Sequence, residues 1–207
     1  MFKSLSLKVI IFGFIFTFFS SFGQSFFIGL FNPSVRDDLN ISHGQFGSIY
    51  ATATLLSSFL FIWVGKKIDD INVFRFAIYV TVLLSFSCFF FSKISSIVFL
   101  FIAIFLMRFS GQGMMSHTAS TTISRYFTKS RGKALSIGWF GLSVAEFILP
   151  VTIIYLLTIY NWQNIWISIS LLVLVFLPIA SYFLIKELNL DSRENAENNE
   201  VKNKDIK

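Results

Sequence analysis

Charged residues are scarce in this 207-residue chain: Asp, Glu, Lys and Arg together make up only 14% of it. By contrast, 55% of the residues are hydrophobic and 28 are phenylalanine. A water-soluble domain of this size needs more polar surface than this to cover its core. The composition therefore excludes an ordinary soluble globule and predicts about six or seven membrane helices of ~20 apolar residues each.

Residues that carry redox, metal or cofactor chemistry are equally few. The single cysteine, Cys88, excludes an intrachain disulfide, and the two histidines have no visible set of partner ligands. Neither a glycine-rich phosphate loop nor a His-Glu-x-x-His motif occurs, so no cofactor or metal is expected. The net charge of +6 does not indicate nucleic-acid binding, because the basic residues sit in short turns between apolar runs.

An intramembrane serine protease is one enzyme class that so apolar a chain could represent. Gly141-Leu-Ser143 resembles the Gly-x-Ser turn of such proteases, but His43 and His117 both precede it and no histidine follows. A serine nucleophile needs a correctly placed base. We therefore expect that the chain is not an enzyme.

Six apolar segments alternate with polar turns. We predict membrane spans at about residues 9–31, 46–64, 74–91, 97–123, 134–157 and 165–185, all within a membrane domain of residues 1–188. Asn32-Pro33 is expected to end the first span, and residues 34–45 are expected to form an aqueous loop. A cleaved secretory signal is the alternative for the amino terminus, although the apolar run continues to Phe31.

The basic residues predict the orientation in the membrane. Nine Lys and Arg residues lie before the first span or in the turns after the second and fourth spans, against two in the other turns. By the positive-inside rule, both termini are expected in the cytoplasm and the protein in the inner or plasma membrane. Residues 189–207 are hydrophilic and lack apolar periodicity, which is typical of a disordered tail.

The turn after the second span reads Gly65-Lys-Lys-Ile-Asp69-Asp70-Ile-Asn72-Val-Phe-Arg75. It resembles the signature loop between the second and third helices of major facilitator superfamily transporters. Gly65, Asp69 and Arg75 match that loop, whereas Asp70 stands where Arg is usual and Asn72 where Gly is usual. Later stretches are also similar to family patterns, namely Arg108 with Gly111 and Gly113, Arg131-Gly132 before the fifth span, and Gly138, Gly141 and Pro150 within it.

This resemblance implies an all-helical fold of six spans built as two inverted three-helix repeats, equivalent to the amino-terminal half of a transporter. It implies transport of a small-molecule solute by alternating access across the lipid bilayer. A second six-helix half or a homodimer is the expected partner, because the family holds the solute between two halves. Residues 189–207 would then begin the linker between the halves. The alternative is a non-transporting scaffold or a truncated half-transporter.

Two full charges, Arg108 and Glu146, lie deep within predicted spans. At 1.5 Å per residue, their distances from the turn around Arg125 place them at depths that differ by only ~3 Å. Charges at the bilayer centre are costly and usually face a protein interior or a wet cavity. We expect Arg108 to attract an organic anion and Glu146 to exchange a proton. The alternative is a structural ion pair between the fourth and fifth spans.

Other polar residues in the spans are secondary candidates for the lining of a cavity: Gln24, Gln112, His117 and Asn32. Each glutamine would line the cavity or bond a neighbouring helix. His117 would either pack at the cavity edge or relay protons. Glycines in the fourth and fifth spans are expected to allow close helix packing.

The resemblance also implies a gate at the turn between the second and third spans, formed by Gly65, Asp69 and Arg75 together with Arg131. Asp69 would lie near basic residues and the amino end of a neighbouring helix, where a carboxylate is stabilised. Such contacts would hold the cytoplasmic side closed in one state. The plain alternative is a turn that serves only to orient the chain.

Overall fold

The structure is a computed structural model that describes residues 4–128 and 130–186. Six of its helical segments are long and apolar enough to cross a membrane, which confirms the prediction of an all-helical chain with six spans. These spans, numbered one to six, are Leu5–Gly23, His43–Asp69, Val73–Phe91, Ile97–Tyr126, Arg131–Leu157 and Trp162–Ile185. The predicted tail at residues 189–207 lies outside the described residues.

The α-helices in the described part of the chain are α1 (Ser4–Ser20), α2 (Ser25–Leu30), α3 (Asn32–Leu39), α4 (His43–Val64), α5 (Val73–Phe91), α6 (Ile97–Met107), α7 (Ser116–Tyr126), α8 (Arg131–Leu157) and α9 (Trp162–Ile185). A 3₁₀ turn over Ser21–Gly23 separates α1 from α2, and another over Gly65–Asp69 extends α4. The fourth span is continuous, with a π-helical segment over Arg108–Met115 between α6 and α7.

The prediction of a loop over residues 34–45 is wrong, because residues 34–39 belong to the helix α3 and residues 43–45 to α4. Pro33 lies in the first turn of α3, where its missing amide costs no hydrogen bond and its fixed φ suits a helix start. The helix ends at Asn40, which adopts a left-handed conformation with φ 53°. Ser42 and Gln45 then form a capping box, which moves the start of the second span to His43.

The core of the bundle is formed where spans one, three, four and six pack together. The helix α1 packs on α8, on the fourth span and on α9, while α5 packs on α9 and α4 packs on the fourth span. Trp166 anchors an aromatic cluster, with ring centroids 4.7 Å from Phe91, 4.9 Å from Phe31 and 5.4 Å from Phe27. The helices α4 and α8 bury little of their surface, so one side of the bundle is left open beside them.

Polar contacts join the turns at both ends of the bundle. At one end, Asp38 of α3 accepts hydrogen bonds from Trp162 Nε1 and Gln163 Nε2, both at 2.8 Å. At the other end, Arg125 of α7 bonds Asp69 in the turn after α4. Each contact ties together turns that are distant in sequence, and both fix the ends of the spans that surround the site described next.

Candidate functional site

The π-helical segment over Arg108–Met115 lies in the middle of the fourth span and contains its polar residues Arg108, Ser110 and Gln112. Widening of a helix by π-type hydrogen bonding is rare and is frequent at functional sites. This widening was not expected from the sequence. The only available signal was the closely spaced pair Gly111 and Gly113, which was interpreted as a packing feature.

Spans one and four cross at Gly23 and Gly111. A Cβ atom added to Gly111 would lie 2.6 Å from the Cα of Gly23, and one added to Gly23 would lie 2.6 Å from the backbone nitrogen of Gln112. Both distances are too short for real side chains. The expected close packing at Gly111 is therefore confirmed, and its partner is the glycine of span one.

Arg108 is held at this crossing. Its side chain is only 7% exposed, and Nη1 donates to the carbonyl of Gly23 at 3.0 Å and to Oγ of Ser25 at 3.3 Å. The guanidinium carbon lies 5.4 Å from the centroid of the Tyr50 ring, within the range of a cation–π contact. The Nε atom is buried and has no hydrogen-bond partner in the described part of the chain. Spans one and two therefore position this charge without neutralising it.

Glu146 does not pair with Arg108, so the structure does not contain the ion pair that was the alternative for these two residues. Glu146 is exposed on α8, and the ion pairs within residues 4–128 and 130–186 are Lys67–Asp70 and Arg125–Asp69. The helix α8 packs on α1 through Gly141, which contacts the carbonyl of Phe14. Glu146 lies five residues further on, roughly 140° around the helix, and so points away from that contact.

A cavity of about 350 Å³ lies between α4, the fourth span and α8. It is lined mainly by polar side chains, with Arg108 as its fixed charge and no Asp or Glu among the lining residues. These are Thr54, Ser57, Ser58, Phe61, Arg108, Gln112, Gly113, Ser116, His117, Ser120 and Trp139. We call this space the central cavity. The expected candidates Gln112 and His117 line it, whereas Gln24, Asn32 and Glu146 do not.

A second polar cavity of about 480 Å³ adjoins the first and reaches the turn over Gly65–Asp69. The two cavities share His117 and Ser120. The remaining lining residues of this inner cavity are Asp69, Thr121, Ser124, Arg125 and Arg131. Polar side chains therefore continue from Arg108 along one side of the fourth span to its end at Tyr126.

The fourth span fixes the turn after α4 at two points. Arg125 Nη2 donates to Asp69 Oδ1 at 2.8 Å and to the carbonyl of Ile68 at 2.9 Å. His117 Nε2 donates to the carbonyl of Gly65 at 3.0 Å, so this nitrogen carries a proton. Asp69 thus lies beside a basic residue, as expected. Of the other expected gate residues, Arg131 lines the same inner cavity, whereas Arg75 is exposed.

Asp69→Asn is expected to loosen this turn, because it removes the charge-assisted bond to Arg125. The pair is partly exposed, with 19% of the Arg125 and 40% of the Asp69 side chain accessible, so the loss should be roughly 1 kcal/mol. Asp70→Asn is the matched control, because among residues 4–128 and 130–186 the ion-pair partner of Asp70 is Lys67, one helical turn away, and Asp70 is 67% exposed. Thermal unfolding of both variants in detergent measures the difference. Equal midpoints for the two variants would contradict the assignment.

Neither histidine is placed to activate Ser143. His43 contacts Nη1 of Arg36 at 3.2 Å, and His117 contacts the carbonyl of Gly65. Within residues 4–128 and 130–186, no group of three or more His, Cys, Asp or Glu side chains could hold a metal ion. The polar interior of the bundle is therefore built around one buried cation and hydroxyl groups, which suits recognition of a solute.

Comparison with protein families gives an independent assignment. The model of the Major Facilitator Superfamily matches residues 13–205, which is nearly the whole chain. Comparison with curated proteins and with solved structures found no match. The matched range includes all six glycines and all three arginines on which the resemblance of the sequence rests. This chain is therefore a multi-pass membrane protein that belongs to the major facilitator superfamily of transporters.

Proposed function

We propose that the chain transports a small organic anion by alternating access, driven by an ion or solute gradient, with the anion held in the central cavity. One observation carries this proposal: Arg108 is 7% exposed, lines a polar cavity and has no carboxylate partner in the described residues. A buried cation without a counter-charge attracts an anion strongly in a medium of low polarity.

An inverted repeat of three spans is the architecture that we propose for this cavity. Under such a repeat, spans one and four are equivalent and cross at the symmetry axis, which agrees with the contact of Gly23 with Gly111. The packing of α1 on α8 then corresponds to the packing of the fourth span on α4. The contacts of Asp38 with Trp162 and of Arg125 with Asp69 also join equivalent turns at opposite ends.

The protein is proposed to lie in the inner or plasma membrane, with both of its termini in the cytoplasm. The excess of Lys and Arg at the turns after the second and fourth spans supports this orientation. The inner cavity then opens on the cytoplasmic side. The bonds of Arg125 and His117 to the turn over Gly65–Asp69 support a gate at this end, with Arg131 at its edge.

A second six-helix unit is the proposed partner, either a separate half or a second copy of the chain. The open sides of α4 and α8 flank the central cavity, so a partner on this side would complete its wall. Glu146 is exposed on α8, and an isolated carboxylate at this depth is costly in lipid. We propose that Glu146 faces the partner unit and exchanges the coupling proton there.

Labelling of single introduced cysteines tests orientation and alternating access together. The native Cys88 is fully buried, so it leaves a silent background for a membrane-impermeant maleimide. We expect Lys67→Cys to react only from the cytoplasmic side and Lys93→Cys only from the outside. Ser58→Cys, an exposed position of the central cavity, should react from both sides at rates that change when transported solute is added.

Two results would overturn parts of this proposal. Labelling of Lys67→Cys from the outside would reverse the orientation. Labelling of Ser58→Cys from a single side, at a rate that no solute alters, would reject alternating access for this chain. Lys93→Cys is the control for the effect of solute, because Lys93 lies in a turn outside the proposed gate and solute should not change its reaction rate.

A further inference from the structure

Both hydrogen bonds that the Arg108 guanidinium donates within the described residues come from Nη1. Nη1 donates both to the carbonyl of Gly23 and to Oγ of Ser25. On the edge formed by Nε and Nη2, Nε is buried and has no hydrogen-bond partner within the described residues. Two parallel N–H groups on one edge of a guanidinium match the two oxygens of a carboxylate. This edge is therefore suited to a planar, bidentate anion.

Two hydroxyl groups of the central cavity are buried and unpaired as well. Thr54 Oγ1 on α4 and Ser116 Oγ on α7 have no hydrogen-bond partner in the described part of the chain. Together with Arg108 Nε, they are three buried polar atoms from lining residues of one cavity. Buried polar atoms almost always have a partner in folded proteins. Three such atoms among the lining residues of one cavity suit an occupant that has both a carboxylate and at least one further polar group.

The charge of the cavity limits the occupant further. Among its eleven lining residues, Arg108 is the only one with a fixed charge, and none is Asp, Glu or Lys. A cationic solute would meet an unpaired cation, and a doubly charged anion would be only half neutralised. A single negative charge matches the site. Hydroxyl groups on the solute can bond Thr54 and Ser116, because a hydroxyl both donates and accepts.

We infer that the substrate is a hydroxylated monocarboxylate, bound through its carboxylate to the Nε–Nη2 edge of Arg108 and through its hydroxyl to Thr54 and Ser116. This inference rests on the proposed function and names the solute class of the same cavity. It assigns the carboxylate to a charged anchor and the hydroxyl to a separate pair of side chains. The two parts of the solute can therefore be tested independently.

Equilibrium binding to the full chain in lipid nanodiscs tests the first part. The probes are lactate, glycerate and gluconate. Two controls are matched to lactate: propanoate lacks its hydroxyl, and propane-1,2-diol lacks its carboxylate. At least one hydroxymonocarboxylate should bind, and its deoxy match should bind about tenfold more weakly. Propane-1,2-diol, choline and inorganic phosphate should not bind. The inference is overturned if no hydroxymonocarboxylate binds, or if phosphate or choline binds more tightly.

Variants of the cavity test the second part. Arg108→Lys keeps the charge but loses the bidentate edge, so affinity for the carboxylate should fall by at least about tenfold. Thr54→Val and Ser116→Ala should weaken binding of lactate while binding of propanoate stays unchanged. The matched controls are Arg36→Lys, outside the cavity, and Thr152→Val, an exposed position that bonds only its own helix. Equal affinity of wild type and Arg108→Lys would also overturn the inference.

Failure of this inference and failure of the proposed function give different results. If a hydroxymonocarboxylate binds through Arg108 but reconstituted vesicles take none up, the solute class stands and transport is rejected. If vesicles take up a cation or an uncharged solute instead, transport stands and the solute class is rejected.

Discussion

Gly23→Ala is expected to abolish folding of the protein. The added methyl group would contact the carbonyl oxygen of Met107 and would lie within 2.7 Å of the Cα of Gly111. These are backbone atoms of another span, so no side-chain rotation can relieve the overlap. Overpacking of a rigid contact costs 1–3 kcal/mol or more, and we expect at least about 3 kcal/mol here. Size-exclusion chromatography in detergent should show little monodisperse protein.

Gly29→Ala is the matched control for this prediction. It makes the same chemical change six residues later, in α2, where no atom lies within 4 Å of the added Cβ. Since alanine is the better helix former, this variant should fold as well as wild type or better. A normal yield and melting temperature for Gly23→Ala would contradict the crossing of spans one and four at this point.

Arg108→Ala is expected to abolish solute binding while leaving membrane insertion intact. The variant removes the only fixed charge of the central cavity, and a charge-assisted bidentate contact is worth several kcal/mol at a buried site. With lactate and glycerate as probes, affinity should fall by at least about a hundredfold. Insertion is governed by the apolar length of the fourth span, which this change makes more apolar.

Arg108→Gln serves as the companion variant. A glutamine amide keeps a hydrogen-bond donor for the carbonyl of Gly23 but carries no charge. It should fold like wild type and still fail to bind the anion, which separates loss of the anchor from loss of the contacts with Gly23 and Ser25. Unchanged binding by a well-folded Arg108→Gln would remove Arg108 from the binding site.

Much of the architecture could be predicted from the sequence because lipid imposes a strong constraint on composition. A helix that crosses hydrocarbon must be long and apolar, and charged residues collect in the turns. This constraint was sufficient to predict the six spans from the sequence. It also singled out Arg108, whose burial is costly unless a site requires it.

The partners of Arg108 could not be predicted, because depth in the membrane does not determine direction around a helix. The sequence predicts similar depths for Arg108 and Glu146, yet packing of Gly141 on α1 turns Glu146 away. The π-helical segment that begins at Arg108 further changes which residues of the fourth span face each neighbour.

The helix α3 was missed for a different reason. A proline ends the helix that precedes it and favours the first turn of the helix that follows. At Asn32-Pro33 the predicted loop follows from the first effect alone, whereas both effects operate, since α2 ends at Leu30 and α3 begins at Asn32. The result places Asp38 where it can bond Trp162 and Gln163.

Solute counterflow tests the central claim most directly. The complex is purified from cells that express the chain at its native locus and reconstituted into liposomes loaded with unlabelled organic anion. With wild type, we expect radiolabelled lactate or glycerate outside to accumulate transiently, and with Arg108→Ala we expect no more than in protein-free liposomes. Wild-type liposomes that accumulate no anion above the protein-free level would contradict transport through the cavity at Arg108.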